Sequence, residues 1–143
     1  MAKSNATRND LVKFIANGTA MPSYGATLYW HFHTADPGLT GTSSTNEATY
    51  TSYARVAASR DAAGFTICDP DGTANASGTA FKNTSEVTFP ECTGVSDDEI
   101  ITHASLCTNG GQILYKTALT AQIRVNNLDT PRIPAGGAIF KEG

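Results

Sequence analysis

The sequence predicts an all-β fold: an antiparallel two-sheet β-sandwich or jelly roll of about eight strands, with one short N-terminal helix. Short apolar-alternating stretches recur along the chain at about the 8 to 12 residue spacing of sandwich strands. Turn-forming Gly, Pro, Asn and Asp residues separate these stretches. A chain of 143 residues suits one domain with a sizeable core. We therefore expect a single domain over residues 1–143, with an N-terminal helical arm over about residues 1–26.

The helix is predicted over residues 5–17. Ser4, Asn5 or Thr7 can cap its N-terminus, and Asn17-Gly18 can end it because glycine adopts the left-handed conformation without strain. Its apolar residues recur at i, i+3 and i+4 spacing; they are Leu11, Val12, Phe14, Ile15 and Ala16. Because so short a helix is marginal alone, we expect this stripe to pack on a sheet edge or against a neighbouring subunit.

The first strand is predicted over residues 27–34, and its side chains alternate between two faces. One face is apolar and is assigned to the core, with the single Trp as its anchor; it carries Leu28, Trp30 and Phe32. The other face carries Tyr29, His31 and His33. We expect this second face to be outward or interfacial. Pro37 has no N–H to give to a ladder, so the strand should end before it.

The segment after this strand, residues 35–52, shows no hydrophobic period. A loop this long in a compact domain is usually functional or flexible, so we take it as the first candidate contact surface. Further along, Asn109-Gly110 between apolar alternations is the clearest hairpin signal. Strands are predicted after the loop at 53–60, 65–69, 86–89, 99–107, 112–119, 122–125 and 138–141.

The composition argues against several classes of protein. The net charge is −3 and the Lys and Arg residues are scattered, which argues against nucleic acid as a partner. No apolar run approaches the roughly 20 residues of a membrane helix, and the polar start of the chain does not resemble an export signal. The cysteines Cys68, Cys92 and Cys107 follow no metal-binding spacing, and we expect them to be free thiols.

A possible metal site is the cluster of His31 and His33 on one strand face with His103 on a later strand. In cupin barrels such a pair is followed by a Glu and by a third His, whereas the nearest acid here, Asp36, belongs to a turn. We therefore expect these histidines to be metal-free polar residues. The sequence has no nucleophile-elbow, phosphate-loop or dinucleotide motif, so we expect neither enzyme activity nor a cofactor.

Acidic residues cluster at 97–99 and at 69–71, beside Gly or Pro in predicted turns. We expect solvated loop charges there, rather than a glycosidase pair or a calcium loop. The tyrosines could form a sugar-stacking platform, although such residues more often fill the rim of a sandwich or an oligomer interface. They are Tyr24, Tyr29, Tyr50, Tyr53 and Tyr115.

Strings spread along the chain resemble a family of small tailed-phage virion proteins that are often labelled phage tail fibre proteins. The most specific is His33-Thr34-Ala35-Asp36-Pro37-Gly38 followed by Tyr53-Ala54-Arg55. Further pieces are Asn17-Gly18-Thr19, Val87-Thr88-Phe89-Pro90, Ile101-Thr102-His103, Leu114-Tyr115 and Ile133-Pro134-Ala135-Gly136. The resemblance covers almost the whole chain. It implies membership of a virion shell or tail, and it brings no catalytic residue with it.

The inferred function is that of a structural protein of the phage virion, assembled in the host cytoplasm. The leading hypothesis is a capsid decoration or cement protein that binds the major capsid protein and also itself, as a dimer or trimer. Its contacts would come from residues 1–26, the loop 35–52 and the tail after Pro134, around a frame of strands at 99–125. A tail or fibre attachment protein is the first alternative, and a sugar-binding or cupin-like metal module is the second. The candidate contact residues are Leu11, Phe14, Ile15, Tyr24, Thr40, Asn46, Tyr50 and Phe140.

Overall fold

The computed structural model describes residues 1–142. Within that range the chain forms one helix, α1 (Asn5–Asn17), and nine strands that pair only in antiparallel fashion. The strands are β1 (Thr27–His33), β2 (Val56–Ser59), β3 (Phe65–Cys68), β4 (Ala80–Asn83), β5 (Val87–Thr88), β6 (Asp98–Cys107), β7 (Ile113–Asn126), β8 (Arg132–Ile133) and β9 (Ile139–Lys141). The predicted all-β antiparallel class with one short N-terminal helix is confirmed. The helix of the described residues is too short and too polar to cross a membrane.

The helix has the bounds that its caps dictate. The Ser4 side chain accepts a hydrogen bond from the Thr7 N–H (3.3 Å), and Gly18 takes a left-handed conformation (φ 64°) with its N–H donated to the Lys13 carbonyl. A side chain at Gly18 would be strained at that φ, which is why the helix ends there.

The strands form a four-stranded sheet in the order β2-β1-β6-β7, a three-stranded sheet in the order β3-β4-β9 and a two-stranded sheet of β5 and β8. The hairpin of β6 and β7 turns at Thr108-Asn109-Gly110-Gly111, where the Asn-Gly signal placed it. Two strands escaped prediction. β4 is only four residues long, and β8 is a two-residue strand between Pro131 and Pro134, so neither displays a period.

β7 joins two strands that were predicted separately. The pairing with β6 jumps from His103↔Ala118 to Ile101↔Ile123, so residues 119–122 lie opposite the single residue Thr102. This is a bulge, and it falls where the sequence pattern breaks between the predicted strands 112–119 and 122–125. We refer to residues 119–122 as the β7 bulge.

The apolar core lies where the four-stranded sheet faces the two smaller sheets. Trp30 of β1 is buried against Phe140 of β9 (ring centroids 5.5 Å apart) and lies 6.3 Å from the ring of Phe65 of β3. Phe32 stacks on Phe89 at 3.9 Å. The assignment of Leu28, Trp30 and Phe32 to the core is confirmed, since all three are buried in one hydrophobic cluster.

The opposite face of β1 is also covered, so the expectation that it points outward is wrong. His31 and His33 are only 3 % and 0 % exposed. β2 pairs with Thr27–Trp30 alone, and the loop 35–52 takes over that edge: the Thr34 N–H donates to the Asn46 carbonyl and the Ala48 N–H to the Phe32 carbonyl. The loop then crosses over the histidines. It is therefore an ordered second cover of the sheet, not a free arm.

Candidate interaction surface on the N-terminal helix

The helix α1 is attached to the sheet by polar side chains. The hydroxyls of Ser4 and Thr7 both donate to the carbonyl of Ile113, at 2.6 and 2.9 Å. The Gln112 amide donates to Thr7 Oγ1 (3.0 Å) and to Asp10 Oδ2 (2.9 Å). These residues lie in the first two turns of the helix, so the polar N-terminal half of α1 is the part that is fastened to the protein.

The residues before α1 are fixed as well. Ala2 pairs with Lys116 at the outer edge of β7, with N–H···O distances of 2.9 and 2.8 Å in the two directions. Lys3 forms an ion pair with Glu142 near the end of the chain. The N-terminal arm of the prediction is thus anchored over residues 2–7, and only the part from Leu11 onward stands clear of the sheets.

The apolar side chains of α1 point away from the protein. Phe14 and Ile15 are 51 % and 73 % exposed, and Val12 and Leu11 are exposed beside them. We call Leu11, Val12, Phe14 and Ile15 the helix ridge. A surface helix normally turns its apolar stripe toward the core, and contiguous exposed apolar residues mark interaction sites. Leu11 and Phe14 follow Thr7 at i+4 and i+7, on the same side of the helix, yet this second half of α1 remains uncovered. The uncovered apolar half makes the ridge the main candidate site of the molecule.

Two clefts adjoin the ridge. One, of about 340 Å³, lies between α1 and the last strand and is lined by Met1, Leu11, Val12 and Tyr115 among others. The other, of about 310 Å³, lies between the β7 bulge and residues 132–140. Met1 lines both clefts. The ridge, Met1 and the second cleft therefore form one continuous surface.

The other predicted contact residues divide into two groups. Thr40 and Asn46 are exposed on the loop, and Tyr24 is half-buried with its hydroxyl donated to Asp10 (3.1 Å). Tyr50 and Phe140 are 4 % and 2 % exposed, so they cannot present a surface to a partner. Tyr50 packs in the core with its hydroxyl on the Pro90 carbonyl (3.0 Å), and Phe140 packs on Trp30. Their burial comes from strands far away in the sequence.

The buried histidines are part of a hydrogen-bonded network under the loop. His31 Nδ1 lies 2.6 Å from Glu47 Oε1, and the same oxygen accepts from the Tyr53 hydroxyl (3.2 Å). The Tyr53 oxygen in turn accepts the Phe32 N–H (3.0 Å). Burial lowers the pKa of His31, although Glu47 opposes that effect. His31 Nε2 is buried, and no atom of residues 1–142 bonds to it.

His33 has both ring nitrogens bonded. Nδ1 donates to the Thr45 carbonyl (2.9 Å), because a carbonyl can only accept, and Nε2 then accepts from the Ser105 hydroxyl (2.7 Å). Burial lowers the pKa of this ring too. Both histidines therefore sit as neutral rings that hold the loop on the sheet.

A metal centre is not what this arrangement favours. His31 and His33 lie with ring centroids 6.5 Å apart, and each is engaged with the loop. The third candidate, His103, bonds Thr102 through Nδ1 (2.8 Å). Across the described part of the chain, His, Cys, Asp and Glu side chains do not gather in groups of three or more with the geometry of an ion site.

The acidic cluster 97–99 is solvated only in part: Asp98 is exposed as predicted, whereas the half-buried Asp97 and Glu99 bind the backbone of the loop. Glu99 accepts the N–H groups of Thr49 and Tyr50 at 2.9 to 3.1 Å, and Asp97 accepts the Thr51 N–H at 2.5 Å. That bond lowers the pKa of Asp97. Asp98 pairs with Arg124 across the β6–β7 hairpin. Asp97 and Glu99 thus anchor the end of the loop, a role that the spacing of acidic residues in the sequence does not reveal.

The remaining candidates are dispersed. Asp69 and Asp71 bond within their own turn, to Asn75 and Thr73. Tyr50 and Tyr53 contact each other, whereas Tyr115 packs on Phe140 and Tyr29 lies under the Arg55 guanidinium. The tyrosines thus occupy separate places instead of one platform. The cysteines are buried free thiols at three different positions.

The model of a family described as podophage GP4 fiber I protein gp80 matches residues 2–141. A search of curated proteins returned no match.

Proposed function

The chain belongs to the podophage GP4 fiber I protein gp80 family, and from this premise we propose that it is a non-enzymatic structural subunit of a phage virion that attaches to its partners through the helix ridge. The observation that carries the proposal is the difference between the two halves of α1. Its polar first turns are fastened to the Ile113 carbonyl, and its apolar second half, with Ile15 73 % exposed, is left for contact.

The free energy available at this surface is substantial. Burying a fully exposed large apolar side chain contributes about 1.5 to 3 kcal/mol. Because Phe14 and Ile15 are 51 % and 73 % exposed, covering both would supply roughly 2 to 4 kcal/mol before the costs of association. The side chains of the types that act in catalysis support a structural role, because each of them forms internal hydrogen bonds that hold the loop. They are His31, His33, Glu47 and Glu99.

Two locations on the virion fit such a subunit. A decoration protein would bind the major capsid protein and further copies of itself, as a dimer or trimer, on the head. A fibre component would attach to the tail or to a fibre, and the family's own description, a fiber I protein, favours this location. Neither role requires nucleic acid or a membrane as a partner.

The test uses phage carrying the double substitution Phe14→Ser and Ile15→Ser. The matched control is Val95→Ser, since Val95 is an exposed apolar residue in the turn before β6. Quantitative mass spectrometry of purified particles counts copies of the subunit. We expect the double variant to be depleted from particles and the control to be incorporated normally, with both purified proteins showing wild-type unfolding midpoints. Equal copy numbers of the double variant and the wild type would contradict the attachment role of the ridge.

The location of the subunit on the virion is determined with the same particles. An electron microscopy map of particles with a labelled subunit distinguishes density spread over the head from density at the tail. Density over the head supports the decoration role, and density confined to the tail or to fibres supports the alternative.

A further inference from the structure

We propose that the first partner of the helix ridge is a second copy of this chain: in a two-fold dimer, the ridge of each copy packs into the cleft beside the β7 bulge of the other. This rests on the proposed function, because it names the occupant of the same surface. A ridge that bound only another virion protein would satisfy the proposed function and not this inference.

The cleft has the chemistry to accept apolar side chains. One wall is the β7 bulge with Leu119, and the other is the segment ending in β9, with Ile139. Its volume of about 310 Å³ is at the lower end of the range of about 300 to 1,000 Å³ for protein ligand sites. A helix is about 10 Å across, so the side chains of the ridge can enter while its backbone stays outside.

The shapes and positions of ridge and cleft suit a reciprocal contact. The ridge is convex and the cleft is concave, and Met1, which is 50 % exposed, lines both clefts along the surface between them. A two-fold axis applies each patch twice, because residue i of one copy meets residue j of the other and j meets i. Both patches are then covered in a closed dimer without a third partner.

The ridge alone offers less area than a specific interface buries, which favours the reciprocal pairing of ridge and cleft. Residues 11–17, the free part of α1, span about 10 Å, so one face about 10 Å wide offers roughly 100 Å². A specific interface buries about 800 Å² on each side. Covering the ridge, the cleft and the surface around Met1 together moves the contact from about an eighth of that area toward the full value.

The chain offers a clean cross-linking test, because its native thiols Cys68, Cys92 and Cys107 are fully buried. Two single variants, Ile15→Cys and Thr120→Cys, are purified separately, mixed under reducing conditions and treated with a short bismaleimide. Thr120 is an exposed residue of the β7 bulge. The control pair is Val95→Cys with Thr120→Cys, because Val95 lies in the turn before β6, at the end of the β6–β7 hairpin far from Ile113. We expect cross-linked heterodimer from the first pair, at least tenfold above the control pair.

A second sample determines whether the contact between the copies is two-fold or head-to-tail. In a chain that carries both Ile15→Cys and Thr120→Cys, a two-fold contact gives a closed dimer, whereas a head-to-tail contact gives a ladder of higher oligomers. Closed dimers support the proposal and a ladder overturns it. Native mass spectrometry of the wild-type chain provides the other check. A monomer at every concentration, or a dimer whose Ile15–Thr120 pair cross-links no better than the control, overturns the inference. The particle-incorporation result for the Phe14→Ser and Ile15→Ser variant stands independently of either outcome.

Discussion

Lowering the pH from 7.5 to 5.5 should destabilise the protein through His31 and His33. Burial lowers the pKa of both rings. In the unfolded chain both titrate near the ordinary value of about 6.5. A group whose pKa is lower in the folded state contributes stability that is complete above the unfolded value and is lost as the pH falls below it. The unfolded state then binds two more protons than the native state.

The loss in the free energy of unfolding follows from the number of protons taken up. Each extra proton gives a slope of about 1.4 kcal/mol per pH unit, so two histidines give up to about 2.7 kcal/mol per unit below pH 6.5. Between pH 7.5 and 5.5 the free energy of unfolding should fall by up to about 2.7 kcal/mol, or roughly 10 °C in melting temperature. The geometry supports this: His31 Nε2 would gain a proton with no acceptor among residues 1–142, and His33 Nε2 already accepts from Ser105.

The charges around the pair act in both directions. Glu47 favours the protonated form of His31, whereas Arg55 disfavours it, and His103 disfavours protonation of His33. The carboxylates with lowered pKa, such as Asp97 and Asp36, titrate below the window, so they do not contribute above pH 5.

Urea unfolding at half-unit pH intervals measures the slope. The variants His31→Gln and His33→Gln should each retain about half of it, and the double variant should give a nearly flat profile between pH 7.5 and 5.5. Slopes are compared, so a lower absolute stability of a variant does not disturb the test. A flat wild-type profile, or an unchanged slope in the double variant, would refute the reasoning.

The remaining predictions concern the loop anchor, metal and the thiols. Glu99→Ala leaves the Thr49 and Tyr50 N–H groups without their acceptor, so it should lower the free energy of unfolding by about 1 to 3 kcal/mol and speed proteolysis within residues 35–52. The control Glu91→Ala, at an exposed site, should change little. Equal unfolding midpoints of the two variants would contradict the anchoring role of Glu99. A chelator should leave the melting temperature unchanged, since only a bound ligand stabilises by mass action, and a stoichiometric transition metal in elemental analysis would reverse this expectation. Intact mass without reductant, with thiol labelling after denaturation, should show all three cysteines as free thiols; a loss of two protons would indicate a disulfide instead.

Local patterns in the sequence predicted the parts of the fold that local physics decides. Alternation placed Trp30 and Phe32 in the core, the Ser4 and Gly18 caps bounded α1, and Asn109-Gly110 marked the hairpin. The helix ridge was also found from its periodicity. The sequence left open whether the ridge packs on a sheet edge or is free for a neighbouring subunit, because the Ile113 carbonyl that holds the first turns of α1 is more than a hundred residues away.

The errors share one physical cause. His31 was assigned to an outward face because alternation identifies two faces but not what covers each of them. The cover is a loop without any period, held by Glu47 and by Glu99 from another strand. Tyr50 and Phe140 were misassigned for the same reason, since their burial depends on strands that are distant in sequence. Contacts of this kind leave no signal in a single sequence.

The attachment of α1 to Ile113 also sets an order of events during synthesis. The helix leaves the ribosome before the strand it docks on, because its anchor Ile113 follows Ser4 by 109 residues. At about 5 to 20 residues per second, that gap corresponds to roughly 5 to 20 s of translation. Throughout this interval the caps of α1 can form, but the helix has no sheet to dock on, and Ala2 has no Lys116 to pair with. The helix is therefore made well before the strand that fixes it in place, and it can dock only after β7 has begun to emerge.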